Sequence, residues 1–411
     1  MMSTLLVVCV LFIRLYGYNN GVGKLPYMGW NTWCTTSFCG SDICSESEVK
    51  MVANAMKSNG MYNLGYNRIN LDDCWEHCGG RSKNGTLRWD EERFPNGIKS
   101  LADYLHNEGF LMGIYTSSGT EVCSRALHCA DKPTGSYGYY EIDANTFAEW
   151  GIDQIKEDEC NLPANYTYQE LYMRFHNSII KSGRNMTLYI CIGGRDNIQE
   201  WGSYVGHLWR SGYDICSPPG MPDHNGCKEC YFSTILRNFE MNTNTPYATK
   251  ISGWQDADMM CVGINGMNEI EWKTHFNLWC MTSSPLWISV DLYNVTSKAI
   301  DILSNKEMIA INQDTIGLNC VRLQGHHSTN DTAGQIWWKY LEKQDNEIIT
   351  AAVMLVNTGD NILDIWLNFS DVGIIGNVSV RDVWSHQDLG YLSSYNATVG
   401  IHDSIVLRIS Q

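Results

Sequence analysis

DQIKEDEC, residues 153–160, is the fourth of eight short strand-like segments that decide the fold of this chain. The other seven are MGWNTW (28–33), YNRINLDDCW (66–75), FLMGIYTS (110–117), TLYICIGG (187–194), WRSGYDIC (209–216), KISGWQDADMM (250–260) and LWISVDL (286–292). Helix-like segments separate them, which is typical of βαβ units and a parallel sheet. Eight strands favour a (β/α)8 TIM barrel over an open doubly wound sheet.

The intervening helices carry clear start and stop signals. Ser45 followed by Glu48 is typical of a capping box. From Val49 onward, apolar residues recur at i, i+3, i+4 and i+7, and Gly60 stands where a helix would end. Such stripes indicate core contacts and carry no function.

The sequence after Cys320 has a different residue pattern. It contains β-branched and aromatic segments separated by Gly, Asn and Asp turns: QIWWKYL (335–341), IITAAVMLVN (348–357), NILDIWLNF (361–369), VSVRDVW (378–384) and DSIVLRIS (403–410). These predict a C-terminal antiparallel β-sandwich at 321–411, after a catalytic barrel at 18–320.

The N-terminus and the sequons indicate the secretory route. Residues 5–13 form an apolar run of nine, too short for a membrane span and followed by the small Gly17, so 1–17 is predicted to be a signal peptide. Eight N-x-[ST] sequons agree with this, at Asn84, Asn165, Asn185, Asn294, Asn330, Asn368, Asn377 and Asn396. The expected location is outside the cell, or the lysosomal or vacuolar lumen.

The charge balance excludes one class of partner. With 29 Lys+Arg against 45 Asp+Glu, the net charge is −16 at pH 7. This charge repels phosphate backbones and anionic lipid, so no nucleic-acid partner is expected.

Acidic residues cluster where the predicted strands end, and the active site of a (β/α)8 barrel is built from the C-terminal strand ends. Lys156 and Asp158 share one face of a strand, so the ammonium is expected to hold the carboxylate ionised by lowering its pKa. Asp214 lies four residues after Arg210, where partial burial would suit a general acid. One ionised and one protonated carboxylate is the arrangement that glycoside hydrolysis needs. The alternative is a set of solvated loop acids.

The other strand-end residues suit a sugar. Asp72 and Asp73 can accept hydrogen bonds from hydroxyl groups, and Trp33, Trp75 and Tyr115 can stack on a pyranose ring. A metal-dependent hydrolase is the rival interpretation. It is disfavoured because His77, His128 and His224 are not spaced as a ligand set, and neither a metal nor another cofactor is expected.

Several long strings resemble the α-galactosidase and α-N-acetylgalactosaminidase family, glycoside hydrolase family 27. They include YMGWNTW (27–33), LDDCW (71–75), RFPNGIKSLADYLHNEG (93–109), GIYTSSG (113–119), GSYGYYEIDANTFAEWGID (135–153), SGWQDADMM (252–260), SSPLWIS (283–289) and IAINQD (309–314). The resemblance implies a retaining exo-glycosidase with a (β/α)8 barrel and a C-terminal β-sandwich. Its expected partner is a carbohydrate carrying a terminal α-galactoside, and a homodimer is compatible with it.

The resemblance also assigns roles. The family's Lys-x-Asp-x-Cys string gives Asp158 as the nucleophile, and the Asp four residues beyond an Arg gives Asp214 as the acid/base. The implied substrate-binding residues are Trp33, Asp72, Asp73, Tyr115, Lys156, Arg210 and Asp258.

The resemblance also implies two disulfides, Cys39–Cys74 and Cys123–Cys160. Cys216 is expected to pair with Cys227 or Cys230, and the apolar surroundings of Cys261 and Cys280 suggest buried thiols.

Two departures from the family bear on specificity. Residues 191–194 read Cys-Ile-Gly-Gly where many α-galactosidases have Cys-Glu-Trp-Gly, in a loop that flanks the C2 substituent of the sugar in that family. This leaves open an α-N-acetylgalactosaminidase, a β-L-arabinopyranosidase or a rearranged loop that uses Arg195 or Asp196. Glu157 and Glu159 flank the nucleophile and would raise the Asp158 pKa unless they point away. A catalytically inactive carbohydrate-binding homologue is the alternative from another class.

Overall fold

The computed structural model describes residues 17–34, 43–123, 134–216, 229–344 and 347–411. Its N-terminal part contains eight parallel strands: β1 (Met28–Asn31), β2 (Arg68–Asn70), β3 (Leu111–Ser117), β4 (Gln154–Asp158), β5 (Thr187–Cys191), β6 (Leu208–Arg210), β7 (Trp254–Asp256) and β8 (Leu286–Ile288). The strand order is β7-β6-β5-β4-β3-β2-β1-β8. A parallel bridge between Met260 and Ile288 joins the two ends of this order and closes the barrel. The predicted (β/α)8 fold is confirmed.

The helices in the described part of the chain surround the barrel. They are α1 (Glu46–Ser58), α2 (Gly97–Asn107), α3 (Tyr140–Trp150), α4 (Tyr168–Ser182), α5 (Ile198–Val205), α6 (Phe232–Thr243), α7 (Glu269–Met281), α8 (Ser297–Leu303) and α9 (Lys306–Asn312). Ser45 caps α1 by accepting a hydrogen bond from the Glu48 amide, and Gly60 follows the helix with φ 83°, as the sequence predicts. None of the helices in the described ranges combines the length and apolar character that a membrane crossing requires.

The C-terminal part is antiparallel. Its strands are β9 (Val321–Arg322), β10 (Gly334–Leu341), β11 (Thr350–Asn357), β12 (Leu363–Asn368), β13 (Val378–Asp382), β14 (Gln387–Leu392), β15 (Ser394–Val399) and β16 (Ser404–Ser410). Six of them form one sheet, β14-β13-β16-β11-β10-β9, while β12 and β15 form a second. Apolar side chains of the two sheets share one core, so the predicted sandwich is confirmed. The prediction lacked β9, β14 and β15 because these strands are short or largely polar and exposed.

Helix α7 joins the barrel to the sandwich. Asn277, which is fully buried, donates to Ser404 Oγ at 2.9 Å, and its Oδ1 accepts from Trp384 Nε1 at 2.9 Å. On the neighbouring strand β10, the buried Lys339 donates to the Cys280 carbonyl at 3.1 Å and to Ser283 Oγ at 2.8 Å. Directional polar contacts therefore fix the angle between the two parts.

We expect Asn277→Leu to lower the free energy of unfolding by about 1–3 kcal/mol, because Trp384 Nε1 loses its acceptor and Ser404 Oγ keeps only Thr274 as a partner. Thermal unfolding followed by calorimetry measures the loss. The matched control is Asn177→Leu on the exposed face of α4, which should change stability by no more than about 0.5 kcal/mol. Equal effects of the two substitutions would contradict the prediction.

Candidate active site

Strand β4 supplies the centre of the site. Side chains alternate across a strand, so Lys156 and Asp158 point into the barrel while Glu157 points out. The register sets Lys156 beside Tyr115 of β3 and Asp158 beside Cys191 of β5. The Lys156 ammonium lies 5.5 Å from the centre of the Tyr115 ring. The β3, β4 and β5 strand ends thus present their polar groups on one face.

The first ion pair of the site joins β4 to the end of β2. Lys156 Nζ lies 2.8 Å from Asp72 Oδ2, and both side chains are buried. Asn31 at the end of β1 donates to the same oxygen at 2.9 Å, and the Asp72 amide donates to Thr32 Oγ1 at 2.8 Å. Burial opposes the charge on Lys156, but Asp72 and Asp158 outweigh it and raise the lysine pKa.

The second set of charges lies across the barrel. The guanidinium of Arg210, at the end of β6, is only 4% exposed. Its Nη2 lies 2.9 Å from Asp258 Oδ2 and 3.1 Å from Asp214 Oδ1. Asp258 Oδ2 also accepts from the Ile215 amide at 2.7 Å, so this carboxylate holds the backbone next to Asp214.

The predicted nucleophile and acid/base lie close enough for their charges to interact. Burial is the main cause that raises the Asp158 pKa to about 6, Lys156 opposes the shift, and the charges of Asp214 and Asp72 add to it. The expectation that Lys156 keeps this pKa low is therefore wrong in its net direction. The carboxylate lies at a depth where desolvation and neighbouring acids outweigh one ammonium.

The acids on either side of Asp158 do not face it. Glu157 is buried on the outer side of the barrel, near Tyr140 of α3 and Tyr172 of α4. Burial raises its pKa well above the usual range, and the nearby Ser118 hydroxyl only partly opposes the shift. Glu159 pairs with Arg195, which explains how this additional charge is neutralised.

Three more of the predicted residues lie at the same strand ends. Trp75 does not, because its ring is fully buried and packs against Phe147 and Trp150. Tyr115 is buried, and its hydroxyl accepts from the Cys123 amide at 3.3 Å. The Trp33 ring is partly exposed, and its amide donates to Asn31 Oδ1 at 2.8 Å. Asp73 is buried beside Asp72, whose Oδ1 accepts from the Asp73 amide at 3.0 Å.

The loop after β5 presents few side chains. Ile192 is buried in the core, while Gly193 and Gly194 have φ of 57° and 77°. A Cβ at Gly194 would lie 2.6 Å from the Ser211 carbonyl oxygen, so the close approach requires glycine. Cys191 remains, as a buried thiol 3.9 Å from Arg210 Nη1.

Three residues of the site were missing from the predicted set: Asn31, Cys191 and Asp256. Burial raises the pKa of Asp256 to about 6, although Arg210 opposes the shift. All three lie in or next to the predicted strand ends, so their positions in the sequence could have marked them as candidates. Which way each side chain points needs the strand register.

The disulfides correct part of the sequence analysis. Cys123–Cys160 is present and ties the loop after β3 to the loop after β4. Cys74 pairs with Cys44, which precedes α1, so the Cys39–Cys74 pairing is wrong; Cys39 lies outside the described residues. The wrong choice arose because several cysteines precede α1 and the sequence does not fix which of them reaches the β2 end.

Another disulfide of the described residues also differs from the expectation. Cys230 pairs with Cys261, which is therefore not a thiol, and Cys216 Sγ lies 3.7 Å from Cys230 Sγ. Cys280 is a buried thiol, as expected.

Two groups of potential metal ligands occur in the described part of the chain, Cys216/Cys230/Cys261 and Cys123/Asp158/Cys160. Each contains a disulfide, whose sulfurs are not the thiolates that bind metals.

Comparison with known proteins identifies the family. The family model described as "Alpha galactosidase A" matches residues 25–314, and that described as "Alpha galactosidase C-terminal beta sandwich domain" matches residues 331–409. The chain belongs to the α-galactosidase family, glycoside hydrolase family 27. It is 34% identical to an α-galactosidase of Oryza sativa subsp. japonica over 95% of this chain and 86% of that protein.

Other relatives cover both parts of the family fold. A probable α-galactosidase of Dictyostelium discoideum is 35% identical over 95% of this chain and 94% of its own length. The crystal structure of α-galactosidase I from Mortierella vinacea superposes with a TM-score of 0.83 at 30% identity, covering 95% of this chain and 98% of that one.

The buried Glu157 makes stability depend on pH. Its raised pKa means that the folded chain holds a proton which the unfolded chain, with a Glu pKa of about 4.3, has already lost. The contribution of Glu157 to stability therefore falls as the pH rises above about 4.3. We expect Glu157→Gln to match the wild type at pH 4 and to exceed it at pH 7 by at least about 1 kcal/mol, the equivalent of roughly one pKa unit.

Denaturant unfolding at both pH values measures this difference. The control is Glu149→Gln, at an exposed position of α3, which should leave the pH dependence unchanged. A Glu157→Gln protein with the same pH dependence as the wild type would refute the assignment.

Proposed function

We propose that the protein is a retaining exo-α-galactosidase that removes terminal α-D-galactosyl residues from oligosaccharides or glycoconjugates. The observation that carries the proposal is that Asp158 and Asp214 lie close enough for their charges to interact, in a chain of this family. Each carboxylate also interacts with a buried cation, Asp158 with Lys156 and Asp214 with Arg210.

In the proposed reaction, an Asp158 carboxylate oxygen attacks the anomeric carbon while Asp214 protonates the leaving oxygen. A covalent galactosyl-enzyme forms. Asp214 then removes a proton from water, which attacks the same carbon and releases the sugar with its configuration retained. Asp214 is 45% exposed, which suits a group that must reach both the leaving group and water.

The surrounding residues are proposed to bind the sugar. Asp72, Asp73 and Asp258 are proposed to accept hydrogen bonds from sugar hydroxyls, and Lys156 and Arg210 to donate them. Trp33 and Tyr115 would contact the ring. The buried carboxylates outnumber the two buried cations, so the site favours the positive charge that develops on the sugar in the transition state.

The proposed setting is the secretory pathway, with residues 1–17 as the signal peptide and the outside of the cell or a lysosome-like lumen as the destination. Disulfides occur mainly in oxidising compartments. All eight sequon asparagines are exposed, so glycans could be accommodated on the folded chain.

Azide rescue tests the two catalytic roles. We expect Asp158→Ala to lower turnover of an activated α-galactoside by about 10⁴-fold or more, since no covalent intermediate can form. Azide, which fits the space left by the carboxylate, should restore turnover and give the β-galactosyl azide. With Asp214→Ala, azide should instead attack the galactosyl-enzyme and give the α-galactosyl azide.

The matched control is Asp103→Ala on the exposed surface of α2, which should retain full activity. Near-normal activity of the Asp158→Ala protein, or the same azide anomer from both variants, would contradict the proposed roles of nucleophile and acid/base.

A second candidate is α-N-acetylgalactosaminidase activity, favoured by the absence of a pocket-facing side chain at Ile192, Gly193 and Gly194. Nitrophenyl α-D-galactoside, α-N-acetylgalactosaminide and β-L-arabinopyranoside, assayed between about pH 4 and 7, distinguish the candidates. We expect kcat/KM to be highest for the galactoside by at least about tenfold. A higher value for the acetamido sugar would replace the first candidate by the second.

A further inference from the structure

The outer face of the small β12–β15 sheet carries two sequons. Side chains alternate in both strands, so Ile365 and Leu367 are buried in the sandwich core while Asn368 and Asn396 are exposed on the opposite face. Asn368 begins the sequon Asn-Phe-Ser and Asn396 begins Asn-Ala-Thr. Both acceptor amides therefore point to solvent from the same face of the sheet.

Trp366 lies between these two asparagines. The register pairs Trp366 directly with Asn396, and pairs Asn368 with Ser394. Residues directly opposite each other have Cβ atoms about 4.5–5.5 Å apart. Asn368 is two residues further along the same strand, about 7 Å away on the same face. One indole ring is thus within reach of both acceptors.

The Trp366 ring is only partly covered. It is of intermediate exposure, on a face whose neighbours in the two strands are polar or charged. The His326 ring meets it edge-on, with centroids 5.1 Å apart and an interplanar angle of 70°. A large aromatic ring in this position leaves apolar area in contact with water, and a sugar ring has an apolar face that stacks on such a surface.

We propose that Asn368 and Asn396 carry N-linked glycans and that Trp366 is the platform on which their innermost N-acetylglucosamine packs. The proposal rests on the secretory route given under the proposed function. In each transfer, the side-chain Nδ2 bonds to C1 of the first N-acetylglucosamine. The bond from C1 to the pyrophosphate of a lipid-linked oligosaccharide donor breaks, and the amide proton leaves with the released pyrophosphate.

The packing predicts a difference in how readily the glycans are removed. An N-glycan that packs on an indole must leave it before an amidase can cleave the bond to asparagine, whereas one in a surface turn need not. Asn84 supplies the comparison, since it is exposed and followed by Gly85 in a turn of the barrel.

The test uses the full chain produced in a eukaryotic secretory host. Release by peptide-N-glycosidase F in H2¹⁸O marks each occupied asparagine as a labelled aspartate, which mass spectrometry locates. We expect Asn368 and Asn396 to be occupied. We expect Trp366→Thr, which keeps a strand-forming residue, to speed native-state release at Asn396 by about twofold to tenfold, the factor that corresponds to one aromatic packing contact.

Release at Asn84 in the same molecules is the internal control and should not change. Tyr247→Thr, which removes an exposed ring from the barrel, should alter neither rate. A second measurement needs no variant: in ¹³C-labelled glycoprotein, the N-acetyl methyl signal at Asn396 should be shifted upfield of that at Asn84 by the indole ring current.

The outcomes separate the two proposals. Glycans at Asn84 but at neither Asn368 nor Asn396 would overturn the site assignment and leave the secretory route standing. A chain with no occupied sequon would overturn the secretory route as well. Occupied sites with unchanged release and no ring-current shift would overturn the role of Trp366.

Discussion

The burial of two cations among a larger number of carboxylates is the constraint on which this structure depends. Arg210 lies between Asp214 and Asp258, and Lys156 is paired with Asp72, all at strand ends of one barrel. Removing such charges from water is costly unless each has a well-placed partner. The barrel meets this requirement because parallel strands deliver side chains from separate parts of the chain to a single opening.

Much of this organisation could be predicted from the sequence. The eight strand segments are marked by apolar runs and turn residues, and the carboxylates at their ends follow from the barrel itself. Asp158 could be chosen from the alternation of β4, which also sends Glu157 to the other face. Local pattern was sufficient in these cases because each feature is encoded within a few residues.

The features that could not be predicted from the sequence depend on how distant segments pack together. The pKa of Asp158 is set by how deeply it is buried, and no spacing reports burial. The partner of Cys74 depends on which of several nearby cysteines reaches the β2 end, and Cys44 does. Strand β14 is largely exposed on both faces, so its sequence carries no alternation of apolar and polar residues from which to predict it.

The positions of the disulfides determine which part of the molecule would lose its structure first on reduction. Cys44–Cys74, Cys123–Cys160 and Cys230–Cys261 join segments that follow or precede barrel strands, and Cys160 lies two residues beyond Asp158. The strand-to-strand hydrogen bonds of the barrel do not involve these cross-links. We therefore expect a reducing environment to loosen the rim before the barrel, so that the carboxylates at the strand ends lose their alignment while the chain keeps its fold. In this molecule, we expect the redox state of the surroundings to affect the geometry of the candidate site more than the existence of the fold.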